Sequence, residues 1–200
     1  MNIDSYYDTR KNVFERIQDS STATKLLMSL MMACITGIMA QIIIPLPWTP
    51  VPITAQTFAV LCSGLFLGKK YGCLSQILYI VLGIAFIPWF GGMTGGIEVF
   101  LGSTVGFFIG FVIASYFIGY ITERYASARN FKKMAITIGI ANFALIYIPG
   151  LAGLALFLGM QGTPIGIIDL LMMGLVPFIA GDILKILGAA ALSKVFLPKD

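Results

Sequence analysis

Apolar residues run along this chain in blocks about as long as a membrane is thick, and charged residues fall between the blocks. Six blocks stand out: about 25–44, 53–67, 71–87, 97–121, one beginning near Met134, and about 176–196. The fifth is expected to be disturbed at Pro149-Gly150. A helix needs roughly 17–25 residues to cross the hydrocarbon. The second block is short for that, which predicts a tilted helix or one that stops below the surface. Pro45 and Pro47 close the first block, because proline removes a donor and resists helix. The pattern predicts an all-α membrane protein, a compact bundle of six transmembrane helices over residues 25–197. Residues 1–24 form a separate segment.

Composition fixes the solvent. Of the 200 residues, 58% are hydrophobic and 11% charged, with a mean hydropathy of +0.92. A soluble domain carries about 25% charged residues. Too few polar residues remain to build a solvated surface, so the chain is expected to face lipid. The net charge of +4 does not suggest nucleic acid. Its basic residues occur in short clusters between the apolar blocks.

Those clusters orient the chain. Lys25 opens the first block, Lys69 and Lys70 follow the second, and Arg124, Arg129, Lys132 and Lys133 separate the fourth from the fifth. Lys194 and Lys199 close the sixth. The alternate connections, about 45–52, 88–96 and 149–175, contain no Lys or Arg. Basic loops stay in the cytoplasm, which predicts a multi-pass protein of the cell membrane with both termini cytoplasmic.

Residues 1–24 mix Tyr6, Tyr7, Val13, Phe14 and Ile17 with Asp8, Arg10, Lys11, Glu15, Arg16 and Asp19. Two readings stay open: a cytoplasmic amphipathic helix on the membrane or a partner, and a partly ordered tail. A polar start without an early apolar core is not expected to act as a secretory signal.

Catalytic chemistry has little to work with. The chain has no histidine, and Cys34, Cys62 and Cys73 lie in apolar runs without metal spacing. The carboxylates in or beside the apolar region are Glu98, Glu123, Asp169 and Asp182. No phosphate-binding G-x-x-x-x-G-K-[ST] loop is present, so ATP hydrolysis by that route is excluded. The sequence predicts neither an enzyme nor a resident cofactor or metal.

One pair breaks the apolar pattern of the last block. Asp182 and Lys185 are three residues apart and share one helix face. A charge at membrane depth costs several kcal/mol and is tolerated facing a cavity or a partner. Asp182 precedes Lys194 by twelve residues, roughly 18 Å along a helix. That predicts a site in the outer half of the membrane, open to the outside.

The loops on that side add candidates. Residues 45–57 hold four prolines and no charge, and run into Thr54 and Gln56. Residues 88–96 carry Trp89 and four glycines, Gly91, Gly92, Gly95 and Gly96. Glycine lets a backbone approach a ligand closely. Asn142 in the fifth block offers a carboxamide, and Tyr147 lies about one and a half turns beyond it. Simple turns, an interhelical hydrogen bond and an interfacial tyrosine are the alternative readings. In the first block, Ala33 and Gly37 form a small-xxx-small pair with Ala40 on an adjoining face, which suits either close approach of another helix or packing within the same bundle.

Taken together, residues 50–57, 91–96 and 177–185 resemble the BioY family, the biotin-binding S components of energy-coupling factor (ECF) vitamin transporters. The resemblance covers about residues 25–197. The family pattern usually has Leu at Ala55, Pro at Ala180 and a Gly-Gly pair near Val105-Gly106. The resemblance implies a six-span subunit that captures biotin as a transported ligand, not as a cofactor. It also implies a transmembrane coupling T subunit and two ATPase subunits as partners, with Ala33, Gly37 and Ala40 as the T-subunit contact. Biotin needs a cation for its carboxylate and hydrogen-bonding groups for its ureido ring. Lys185 suits the first. Asp182 either accepts from a ureido N–H or holds Lys185 in place, and the two could also serve opposite ends of the ligand. A rival reading is a stand-alone ion-coupled carrier with Asp182 as proton relay.

Overall fold

The computed structural model describes residues 11–198 apart from positions 13, 18 and 86. Tyr6, Tyr7, Asp8, Arg10, Val13 and Lys199 therefore lie outside the described residues. Residues 11, 12, 14–17 and 19 are helical. Phe14 packs against the core, and the Arg129 guanidinium lies 4.7 Å from its ring centroid.

Helix α1, Thr22–Ala40, starts where Ser21 Oγ accepts a hydrogen bond from the Thr24 N–H. This satisfies one of the amides left open at a helix start. The helix stops at Ala40, four residues short of the expected Ile44. Ile43–Ile44 (β1) instead pairs antiparallel with Ile53–Thr54 (β2). The prolines between them cannot continue a helix, and the two short strands supply partners for backbone groups beside that stretch.

Helix α2 runs Gln56–Ile84 but is broken at Gly68, where φ is 74° and ψ is −177°. Only glycine takes that conformation at low cost. A Cβ on Gly72 would lie 2.7 Å from the Ser63 carbonyl oxygen and 2.8 Å from the Gly64 Cα. Eight residues of straight helix would hold Gly64 and Gly72 about 12 Å apart. The chain therefore folds back on itself at Gly68, between the second and third blocks.

The fourth block divides. Ile97–Phe100 (α3) is a single turn, and the long helix α4 spans Val105–Arg124. Gly102, Ser103 and Thr104 separate them, residues that favour turns. The fifth block is continuous through Pro149: Phe131–Ile140 (α5), a π-helical segment Ala141–Ile146, and Tyr147–Met160 (α6). The disturbance falls upstream of the proline rather than at it. Pro149 has no N–H, and its ring crowds the carbonyl four residues earlier. The wider π turns lie over that carbonyl, at Leu145. The connection that follows is also shorter than expected, because Ile167–Gly174 (α7) is helical. After a 3₁₀ turn at Val176–Phe178, the last helix α8 spans Ile179–Phe196.

Five helical stretches are long and apolar enough to cross a membrane: Thr22–Ala40, Gln56–Ile84, Val105–Arg124, Phe131–Met160 and Ile167–Phe196. The chain is a multi-pass helical membrane protein. Its closest helix contacts use small residues, which bring backbones together where burial of apolar surface gives little drive. A Cβ on Gly110 of α4 would lie 2.6 Å from the Ile146 Cα, and one on Gly153 of α6 would lie 2.7 Å from the Gly106 nitrogen. Ser63 and Ser115 share a buried 2.7 Å hydrogen bond between α2 and α4.

The small face of α1 differs from the expectation. Ala33, Gly37 and Ala40 are all buried within the chain, so they are not an outward contact surface. A Cβ on Gly37 would meet the Trp89 side chain at 3.0 Å. The exposed side of α1 carries Leu27, Met31 and Ile38 instead. The buried side also carries Ser29 and Thr36, and the spacing of the small residues alone did not show which side turned inward. Gly37→Trp is therefore expected to destabilise the isolated chain by about 1–3 kcal/mol or more, the cost of overpacking a filled core. Thermal unfolding in detergent measures this, and an unchanged midpoint would contradict the packing.

Candidate ligand-binding site

The structure gathers a cavity of about 390 Å³ between the two uncharged loops and the helices α2, α4, α6 and α8. Pockets for small organic ligands run from about 300 to 1,000 Å³. One end is polar, with Gln56, Thr57, Tyr147, Asp182 and Lys185. The rest is mainly apolar and aromatic, built by Phe107, Phe108 and Phe111 of α4 with Phe90 and Phe178.

The polar end is organised around Asp182. This residue lies in the first turn of α8, where the helix dipole favours a carboxylate. Its side chain is almost wholly buried (2% exposed) and forms a 2.9 Å ion pair with Lys185 Nζ. Lys185 Nζ also donates to Thr57 Oγ1 at 2.8 Å. Asn142 Nδ2 donates to Asp182 Oδ2 at 2.9 Å, and the Tyr147 hydroxyl donates to the same oxygen at 2.5 Å. Both carboxylate oxygens are thus occupied by protein donors.

Asn142 and Tyr147 reach one atom because the helix between them is π. Five residues apart on an α-helix, they would point roughly 140° away from each other. The i→i+5 turns of Ala141–Ile146 bring them closer to one face. The sequence separation therefore misplaced Tyr147 relative to Asn142.

The expected site residues divide into three groups. Thr54, Gln56, Gly91, Tyr147, Asp182 and Lys185 line the cavity. Asn142 acts on it through Asp182. Trp89, Gly92 and Gly96 are not among the lining residues. Trp89 packs into the fold, donating Nε1–H to the Tyr79 carbonyl at 2.9 Å, with its ring 5.5 Å from that of Tyr79. Gly92 and Gly96 take positive φ values of 75° and 94°, so they shape the loop. Thr57 and the aromatic wall of α4 were missed. Thr57 adjoins Gln56 and was open to notice. The phenylalanines gave no signal, because an inward and a lipid-facing phenylalanine look alike in an apolar run.

Two buried polar atoms here have no hydrogen-bond partner: Gln56 Nε2, on the cavity, and Asn142 Oδ1. An unmade hydrogen bond on a buried group costs about 1–3 kcal/mol. Gln56 Nε2 is thus a donor left unused by the protein at the cavity wall. Among the described residues, no cluster of His, Cys, Asp or Glu has the makings of a metal site.

A helical membrane protein with an aromatic cavity and one neutralised ion pair in its wall is built to hold a small, partly polar molecule. The sequence profile of the BioY family matches residues 11–198, and the chain belongs to that family. It is 51% identical to the probable biotin transporter BioY of Methanothermobacter thermautotrophicus, over 69% of this chain and 88% of that one. With the biotin transporter BioY of Thermotoga maritima it shares 33% identity, over 75% and 83% of the two chains. Its fold matches a crystal structure of the S-component for biotin from an ECF-type ABC transporter, with a TM-score of 0.75 and 24% identity. That match covers 86% of this chain and 89% of the other. The relatives are transporters, and membership places this chain among transport proteins rather than enzymes.

A double-mutant cycle tests the ion pair. Lys185→Met alone strands a buried carboxylate, and losing one member of a buried pair costs about 3–5 kcal/mol. Adding Asp182→Asn removes the stranded charge and is expected to recover part of that loss. Unfolding midpoints of the two single variants and the double variant give the coupling. Additive effects would show that the two charges do not depend on each other.

Proposed function

We propose that the chain captures biotin as the S component of an ECF transporter. The reading gives it six spans, with the reversal at Gly68 dividing Gln56–Ile84 into two. Both termini then lie on the cytoplasmic side of the cell membrane, the basic loops stay inside, and the cavity opens outward. The observation that carries the reading is the Asp182–Lys185 pair set in the wall of an aromatic cavity. Two further features support it, the unpartnered Gln56 amide and the relatives that are named biotin transporters.

Biotin fits this chemistry. The rings of Phe107, Phe108 and Phe111 offer a surface for its thiophane ring and aliphatic chain. Lys185 has three donors and uses two on Thr57 and Asp182. The third is assigned to a ligand oxygen, and the Gln56 amide N–H to a second acceptor. Asp182, bonded on both oxygens, serves as the counter-ion that holds Lys185 in place. With 2.9 Å between them, the two side chains act on one end of the ligand and not on opposite ends.

In this reading a chain without a G-x-x-x-x-G-K-[ST] loop relies on the coupling T subunit and two ATPases for concentrative uptake. The T subunit must use a surface other than the buried Ala33, Gly37 and Ala40.

Calorimetric titration of the purified chain with biotin tests the reading. Saturable binding is expected without any partner. Lys185→Ala is expected to weaken it by about 3–5 kcal/mol. Normal binding by a folded Lys185→Ala variant would remove Lys185 from the site. Uptake that persists without ATPases and stops with a protonophore would favour the ion-coupled carrier instead.

A further inference from the structure

We propose that Gln41 is a positioning residue for ligand capture: its side-chain amide latches the 88–96 loop against the end of α1 and so holds one wall of the cavity in place. The proposal rests on the cavity being the ligand site.

Gln41 is the C-terminal cap of α1. Its Nε2 donates to the carbonyls of Gly37 at 2.9 Å, Trp89 at 2.9 Å and Phe90 at 3.1 Å. Its Oε1 accepts from the Met93 N–H at 2.8 Å. One carboxamide therefore grips the loop at Trp89, Phe90 and Met93 and anchors itself to the helix by the fourth bond, to Gly37.

Apolar packing holds one residue of the loop's tip, since Phe90 is buried against Tyr79 and Phe108, but few other polar contacts reach it. Its flanks are tied to α2, through the Trp89 indole on the Tyr79 carbonyl and the Gly96 N–H on the Gly83 carbonyl. Between them, a bridge joins Phe90 to Thr94, and the Thr94 hydroxyl donates to the Gly91 carbonyl. Both interactions lie within the loop. Among the described residues, the hydrogen bonds that tie residues 90–93 to the rest of the fold all come from Gln41.

The tip is also strained. Met93 has φ of 58°, the one positive value outside glycine among the described residues. A bulky side chain in that region costs on the order of 1 kcal/mol and persists only where its surroundings enforce it. The bond from its N–H to Gln41 is that enforcement. On its other side the same tip faces the cavity, through Phe90, Gly91 and Thr94. Releasing Gln41 frees a strained loop, and the loop's inner surface is the ligand's wall. Gln41 thus governs how long a ligand stays.

Two variants of the full chain test this. Gln41→Leu removes all four bonds at similar volume. Gln41→Glu keeps the acceptor for Met93 but sets a carboxylate against three carbonyl oxygens. In the ligand-free protein, both are expected to raise amide hydrogen exchange in residues 88–96 by about tenfold, with Gln56–Leu67 and Val105–Arg124 unchanged. In the loaded protein, biotin is expected to dissociate about tenfold faster, with the association rate little changed. Unchanged loop exchange in both variants would overturn the latch. So would a general rise in exchange with a lowered unfolding midpoint in both, which would make Gln41 a structural cap only. Faster loop exchange with wild-type dissociation would sever the loop from ligand retention. If the wild-type chain binds no biotin, the proposed function fails while the exchange experiment still reads the latch.

Discussion

Burying the Asp182 carboxylate is the constraint around which the rest of the binding region is arranged. A lone carboxylate at 2% exposure in an apolar bundle is prohibitively costly. Its neutralisation draws on four segments at once: Lys185 one turn along α8, Thr57 of α2 holding that lysine, Asn142 from the π segment, and Tyr147 at the start of α6. None of these helices can slide or rotate far without leaving the charge unpartnered. The pair therefore ties α2, α6 and α8 to one another alongside their apolar packing. It also leaves a site with no net charge and with donors still to spare.

Contacts between helices carry the second share of specificity. In lipid, an apolar side chain gains little by turning inward, so close approach and hydrogen bonding choose the partners. Gly106, Gly110 and Gly153 bring α4 against the long fifth stretch, close to the residues that carry Asn142 and Tyr147. The same helix α4 presents Phe107, Phe108 and Phe111 to the cavity. One helix thus alternates between positions too small for any side chain and positions filled by rings.

How much of this was legible in the sequence depended on whether a residue contrasted with its surroundings. Asp182 and Lys185 stood out because charge in an apolar block is anomalous and a spacing of three is a helical neighbour. The apolar blocks themselves marked the helices, and the prolines marked the first loop. Ala33, Gly37 and Ala40 were visible as small residues, but their spacing did not tell the direction they faced; Ser29 and Thr36, buried with them, were the signal left unused. The meeting of Asn142 with Tyr147 depends on a π segment; Pro149 announced a disturbance in this block, but not its type or its place upstream. Gln41 lies near the end of an apolar block with little nearby in sequence to explain it, because its three partners in the loop are about fifty residues away.

Arg129 has a consequence for handling the molecule. Its guanidinium lies over the Phe14 ring, and it donates to the carbonyls of Thr122 and Pro198. A single, largely buried side chain thus joins a residue near the start of the described chain to one near its end. Any change at Pro198 or any shortening that removes Phe14 takes a contact from the same guanidinium. Labels placed beside residues 14 and 198 would sit within short range of each other, on either side of one guanidinium.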